Sequence, residues 1–141
     1  MKTEKQRGFT LIELVVVIAL LGILAAFAIP RFASLEREAR SAVTQGLSGS
    51  VRSAAAMAHG LHLATGLTTV TMEGNDIDIV NGYPDAETVA LTLADSTGFT
   101  VSDDGTTATF LKTGTTANCQ VEYTEAGATT PPSILATTTG C

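Results

Sequence analysis

The chain has 141 residues, a formal net charge of −6, no Trp and two Cys, which allows one ordinary domain with an appended segment and excludes a large multidomain enzyme. Charge is unevenly placed: Lys2, Lys5 and Arg7 open the chain, Arg31, Arg37, Arg40 and Arg52 fall in its middle, and beyond residue 52 Lys112 alone faces ten acids. So acidic a body repels a phosphate backbone, which excludes nucleic-acid binding by that part; the four Arg of the middle stretch leave a DNA contact open but read better as a solvated helix face.

From Phe9 to Ile29 the sequence is FTLIELVVVIALLGILAAFAI, with Glu13 its one charge. As a helix this stretch spans roughly 31 Å, close to a hydrocarbon core. The basic residues ahead of it place the N-terminus in the cytoplasm and the body outside. A secretory signal with a weak cleavage site at Ala26-Phe27-Ala28 accounts for this hydropathy, and so does a plain membrane anchor. Neither accounts for Glu13, since an uncompensated carboxylate there costs about 2.5–3.5 kcal/mol on insertion scales. Glu13 is protonated, snorkels to the interface, or has a partner.

Arg7-Gly8-Phe9-Thr10-Leu11-Ile12-Glu13-Leu14 resembles the class III signal of type IV prepilins and pseudopilins. The resemblance implies a leader over residues 1–8, cut after Gly8 by a prepilin peptidase, and methylation of the new N-terminal Phe9. Residues 9–29 then remain as a transmembrane helix that becomes the fibre core. A cationic α-amino group at Phe9 can meet Glu13 at i, i+4 on its own helix or on a neighbour's, and in a low-dielectric bundle that pairing favours one axial register. Gly22 weakens a helix by about 1 kcal/mol relative to Ala, and Pro30 lacks an amide proton and crowds the carbonyl of Ala26. Together they are expected to bracket a helix break, continuous in the membrane and extended in the fibre, as pilins commonly show; a simple kink at the membrane edge is the plainer alternative.

Over residues 30–64 the pattern turns amphipathic. Phe32, Leu35, Ala39, Ala42, Val43, Gly46, Leu47, Val51, Ala54, Ala55 and Ala58 recur at three- and four-residue steps, and Glu36–Arg40 has a favourable spacing for a helical ion pair. The helix is expected to end between Gly60 and Gly66, with one face on the body and the other free for neighbouring subunits. His59 and His62 are three apart but have no Cys or clustered acid nearby in sequence, so they read as boundary residues rather than metal ligands.

Residues 65–141 are a β-rich head, with Thr and Gly replacing Ala and Leu. Strand-prone stretches recur at Leu67–Met72, Ile77–Val80, Thr106–Leu111, Cys119–Thr124 and Ser133–Thr137. Asp104-Gly105 is a hairpin signal, and Asp85–Ala94 is a short helix or a loop. So small a body cannot build a generous core alone. The helix face supplies one support. A bridge between Cys119 and Cys141, both outside the cytoplasm by the charge rule, supplies another; closing that loop stabilises the head by about 3 kcal/mol in the chain-entropy model, the alternative being two free thiols. The acid pairs Asp76/Asp78 and Asp103/Asp104 match no EF-hand and read as solvated surface. No nucleophile elbow, phosphate-cradling loop or metal spacing suggests an enzyme, and no cofactor is expected.

The expected fold is α+β: a long N-terminal helix packed on a small antiparallel sheet, with a C-terminal loop closed by a disulfide. Such a loop is typical of type IV pilins. Ala28-Ile29-Pro30-Arg31-Phe32, Asn81-Gly82-Tyr83-Pro84-Asp85-Ala86, Cys119–Ala126 and the terminal Gly140-Cys141 look like the mannose-sensitive haemagglutinin class of type IVa pilins. The resemblance implies a homopolymer of pilin subunits, handled by the prepilin peptidase and the pilus assembly machinery. The precursor waits in the inner membrane and the assembled fibre stands on the cell surface for attachment and biofilm formation, with a surface or host ligand. Three other readings remain: a type II secretion pseudopilin, a class that usually lacks this disulfide and relies on calcium; a minor pilin; and an anchored periplasmic domain that does not polymerise.

Overall fold

The computed structural model describes residues 8–141, so the leader charges Lys2, Lys5 and Arg7 lie outside the described residues. The fold is α+β. Helix α1 (Leu11–Thr65) precedes seven strands: β1 (Thr69–Met72), β2 (Asn75–Val80), β3 (Tyr83–Pro84), β4 (Phe99–Asp103), β5 (Thr107–Lys112), β6 (Gln120–Thr124) and β7 (Ser133–Thr137). By its internal contacts the chain forms two units, one reaching to Glu36 and one over Arg37–Cys141.

Among its described residues, the first unit is helix from Leu11 onward. Its apolar side chains, Leu14 and Ile18 to Leu24 and Ile29 among them, are exposed on every side, and the helix is long and apolar enough to cross a membrane. A helix apolar all round is at home in lipid or among like helices. α1 continues through Gly22 and Pro30 without interruption.

The second unit is built from two antiparallel sheets, one of order β1-β2-β3 and one of order β4-β5-β6-β7. Alternation decides which side chains enter the core: Ala108 and Phe110 of β5 and Val121 and Tyr123 of β6 point inward, with Phe110 opposite Val121 and Ala108 opposite Tyr123. They pack with Leu47, Val51 and Ala55 of α1 and with Ala86 and Val89 of the connecting segment. One turn further along α1, Ala58 packs with Val70, Met72, Ile77 and Ile79 of the smaller sheet. The small residues of this helix face allow both sheets to approach it.

Where one sheet was expected there are two. The chain reverses tightly at Glu73-Gly74 and again at Asn81-Gly82, all four residues at positive φ as two-residue hairpins require, and this uses up β1 to β3 in a closed meander. Residues 85–98 then cross to β4 without pairing. The short helix expected there is a single 3-10 turn, Val89–Thr92, with Val89 and Thr92 buried. Ahead of it the Asp85 carboxylate accepts the amide of Thr88, the residue before the turn, at 2.8 Å. The sheets are tied by polar contacts as well: Asn81 Nδ2 donates to the carbonyl of Ala126 at 2.7 Å, and the Tyr123 hydroxyl donates to that of Pro84 at 2.6 Å.

Candidate functional site

The sequence motif falls at the start of α1. Gly8 and Phe9 precede the first helical residue, and the Phe9 side chain is 92% exposed. Thr10 is the cap. Its amide and its hydroxyl both donate to Glu13 Oε2 at 2.8 Å, and the Glu13 amide donates back to Thr10 Oγ1 at 3.3 Å. This is a capping box, in which the N-cap residue and the third helical residue satisfy each other's free amides. The Phe9 nitrogen is still an amide in this uncut chain, so the carboxylate is held by Thr10 rather than by an α-amino group. Thr10 was missed from the sequence, although Thr10-x-x-Glu13 is the written signature of the box.

A Cβ built on Gly22 would meet nothing within 4 Å, so the helix itself does not require this glycine. Pro30 lies inside α1, and the carbonyl of Ala26 therefore has no amide donor one turn on.

In the second unit Cys119 and Cys141 are joined, with Cα atoms 4.7 Å apart. The bridge rests on Thr44 of α1, another residue the sequence did not single out. Thr44 is fully buried, its hydroxyl donates to the carbonyl of Arg40 at 2.9 Å, and the oxygen lies 3.6 and 3.8 Å from the two sulfurs. The loop end is pinned again where the Gly140 amide donates to the carbonyl of Asn118 at 2.8 Å.

The remaining candidates serve structure. His59 Nδ1 lies 2.7 Å from the carbonyl of Gly82 and its ring stacks on Tyr83 at 4.2 Å, while His62 Nδ1 lies 2.7 Å from the carbonyl of Leu67. Asp76 and Asp78 accept hydroxyls of Thr71 and Thr69 across the β1–β2 pair. Asp104 closes the β4–β5 hairpin by accepting the amides of Thr106 and Thr107. Among the described residues no group of three His, Cys, Asp or Glu is placed to hold a metal ion.

Residues 4–29 match the prokaryotic N-terminal methylation motif. The type IV narrow pilus major component PilA5 of Thermus thermophilus is 48% identical over 54 residues, 38% of this chain and 47% of that protein. The type IV major fimbrial protein FimA of Dichelobacter nodosus is 37% identical over 103 residues, 66% of this chain and 62% of that protein. Over these stretches the chain is similar to type IV pilins and fimbrial proteins. The matched part of the chain spans about half to three-fifths of these relatives' length, and no solved structure matches it. The methylation motif covers the capping box and the apolar helix of the first unit, while the disulfide belongs to the second.

Proposed function

We propose that this chain is a type IV pilin, the structural, polymer-forming subunit of a type IV pilus of the mannose-sensitive haemagglutinin type. Prepilin peptidase removes residues 1–8 by cutting after Gly8 and methylates Phe9. The precursor sits in the inner membrane with its N-terminus in the cytoplasm, and the assembly machinery extracts it into a fibre. Residues 9–29 form the fibre core, where the Phe9 α-amino group and Glu13 set the register, and the stretch between Gly22 and Pro30 opens on assembly. Residues 65–141 form the fibre surface, which attaches to solid or host surfaces and supports biofilm. The observation that carries this reading is the methylation motif on a helix whose apolar residues are exposed all round and are covered by nothing in the same unit.

Mass spectrometry of filaments sheared from the cell surface tests it. The expected species starts at methylated Phe9 and is lighter than the reduced chain by two hydrogens. Recovery of Met1 on every molecule, or absence of the chain from the sheared fraction, sinks the reading. Loss of surface attachment in a filament-free strain tests the adhesive role separately.

A further inference from the structure

The Cys119–Cys141 bridge joins two unlike sulfurs. Cys119 stands immediately before β6, its carbonyl accepting the Lys112 amide at 2.9 Å, and the whole residue is buried. Cys141 is partly exposed and sits on a turn. Its amide donates to the carbonyl of Thr138 at 3.2 Å, and the Gly140 amide donates to that of Asn118 at 2.8 Å. When the S–S bond opens, Cys119 stays in the strand ladder, whereas Cys141 can move away with its turn. Thiol–disulfide exchange depends on which sulfur an incoming thiolate can reach. From solvent that sulfur is Cys141.

Thr44 adds a chemical difference to the steric one. Its buried hydroxyl lies 3.6 Å from Cys119 Sγ, and its proton is given to the carbonyl of Arg40 at 2.9 Å. A disulfide sulfur is a weak acceptor, so the carbonyl keeps this proton while the bridge is closed. A thiolate is a charged acceptor, which binds a donor roughly twice as strongly as a neutral one, and a buried thiolate without a donor is costly. The Arg40 carbonyl can release the hydroxyl, because inside α1 it also faces the amide four residues on. Thr44 is therefore placed to serve Cys119 at the moment its sulfur becomes the leaving group.

We propose that Cys141 is the exchange site of the head, the sulfur on which a thiol or a dithiol carrier protein forms its mixed disulfide, with Thr44 as donor to the departing Cys119. The incoming thiolate bonds to Cys141 Sγ and the Cys119–Cys141 bond breaks. Its electron pair leaves on Cys119 Sγ, and the Thr44 hydroxyl turns from the Arg40 carbonyl to that sulfur. Return attack by Cys119 on Cys141 Sγ expels the incoming group as a thiolate and restores the bridge, with no net oxidation. A carrier with a second thiol instead attacks its own sulfur in the mixed disulfide. The carrier is then oxidised to a disulfide and the head is reduced to two thiols; the same steps in reverse install the bridge. The inference is independent of whether the chain forms a filament.

The test uses the full, bridged chain in detergent. It is mixed with glutathione or, in a parallel arm, with a thioredoxin-type dithiol protein, quenched in acid early in the reaction, and its disulfides are mapped by mass spectrometry. The adduct is expected on Cys141; adducts in both arms mark a site open to a protein carrier, and one with glutathione alone marks a small-thiol site. Thr44→Val keeps the side chain's shape and removes its hydroxyl, so the initial exchange rate is expected to fall about fivefold or more, and Thr44→Ser to restore it. A merely structural Thr44 predicts the opposite sign, since a loosened seat exposes the bridge and speeds exchange. Adducts on Cys119, equal adducts on both sulfurs, or none in either arm overturn the exchange site. A Thr44→Val rate at or above the parent's, or no recovery in Thr44→Ser, overturns the donor role.

Discussion

Tyr123 is wholly buried, and its hydroxyl reaches the carbonyl of Pro84, so one phenol on β6 ties the larger sheet to the smaller. Burial first, then the nearby Glu125, Asp85 and Tyr83, pushes its pKa well above the ordinary tyrosine range. The native state therefore holds this proton more tightly than the unfolded chain does. Its contribution to stability is complete below the unfolded value of about 10 and is lost as pH rises through the raised native value. In alkaline difference spectra phenolate at position 123 is expected to appear only together with unfolding. Tyr123→Phe leaves the Pro84 carbonyl unpaired and is expected to cost about 1–3 kcal/mol in urea unfolding of the detergent-solubilised chain; a variant as stable as the parent contradicts that role. Asp104 has the opposite sign. The amides of Thr106 and Thr107 hold its carboxyl below the usual range, so its contribution is complete above about pH 4 and fades as pH falls through the depressed native value. An NMR titration in which the Asp104 carboxyl carbon moves at or above the value of an unstructured Asp would show that the hairpin does not use it.

At the scale of elements, α1 and most strands were legible because their patterns are periodic. β7 occupies the expected stretch Ser133–Thr137, and β5 and β6 lie within a residue of theirs. β4 was harder to read. It is an edge strand whose side chains are mostly exposed, so Phe99–Asp103 carries no alternation to detect. β3 is two residues long, and only the Asn81-Gly82 turn announces it. The helix face was read too broadly. Phe32, Leu35 and Val43 share the apolar spacing yet are 70%, 58% and 50% exposed. Periodicity finds an apolar residue but does not say whether its cover lies in the same chain. Thr44 was lost for the converse reason, since its burial depends on a disulfide brought in from the far end of the sequence. That bridge is the element-scale joint. Its reduction is expected to cost about 3 kcal/mol by the chain-entropy estimate, read as a lower thermal midpoint with reductant. Gly140→Ala tests the seat without touching sulfur. A Cβ there would stand 2.4 Å from the carbonyl oxygen of Ala117, so the loop end must shift. The midpoint is expected to fall, and thiol labelling after partial reduction to speed up; an unchanged midpoint would mean that the seat is loose.

For the whole molecule the decisive carboxylate is Glu13. Leu14 to Ile29 surround it with exposed apolar surface, where a bare charge is costly. In the uncut chain both donors of Thr10 offset that cost. The sequence showed the charge and suggested a partner from cleavage, but the local partner became visible only in the capping geometry. In the proposed processing these two partners would act at different stages: Thr10 serves the carboxylate in the uncut chain, and a Phe9 α-amino group, created by cutting, would compete for it afterwards. Glu13→Ala removes both relationships. The precursor is expected to insert, to be cut after Gly8 and to keep its Cys119–Cys141 bridge, because none of these steps needs the carboxylate. In the proposed assembly, filament formation is the step that needs it. Without an attraction that depends on axial position, apolar helices slide past one another at little cost, and register is left to side-chain packing. Sheared-filament yield is expected to fall by about tenfold or more while the processed membrane pool rises, since one lost buried ion pair leaves a partner charge unpaired at about 3–5 kcal/mol. Thr10→Val separates the stages. It leaves the α-amino partner in place, so yield is expected to fall less than in Glu13→Ala. An anchored domain that never polymerises would pass through both substitutions with its membrane pool and surface properties unaltered.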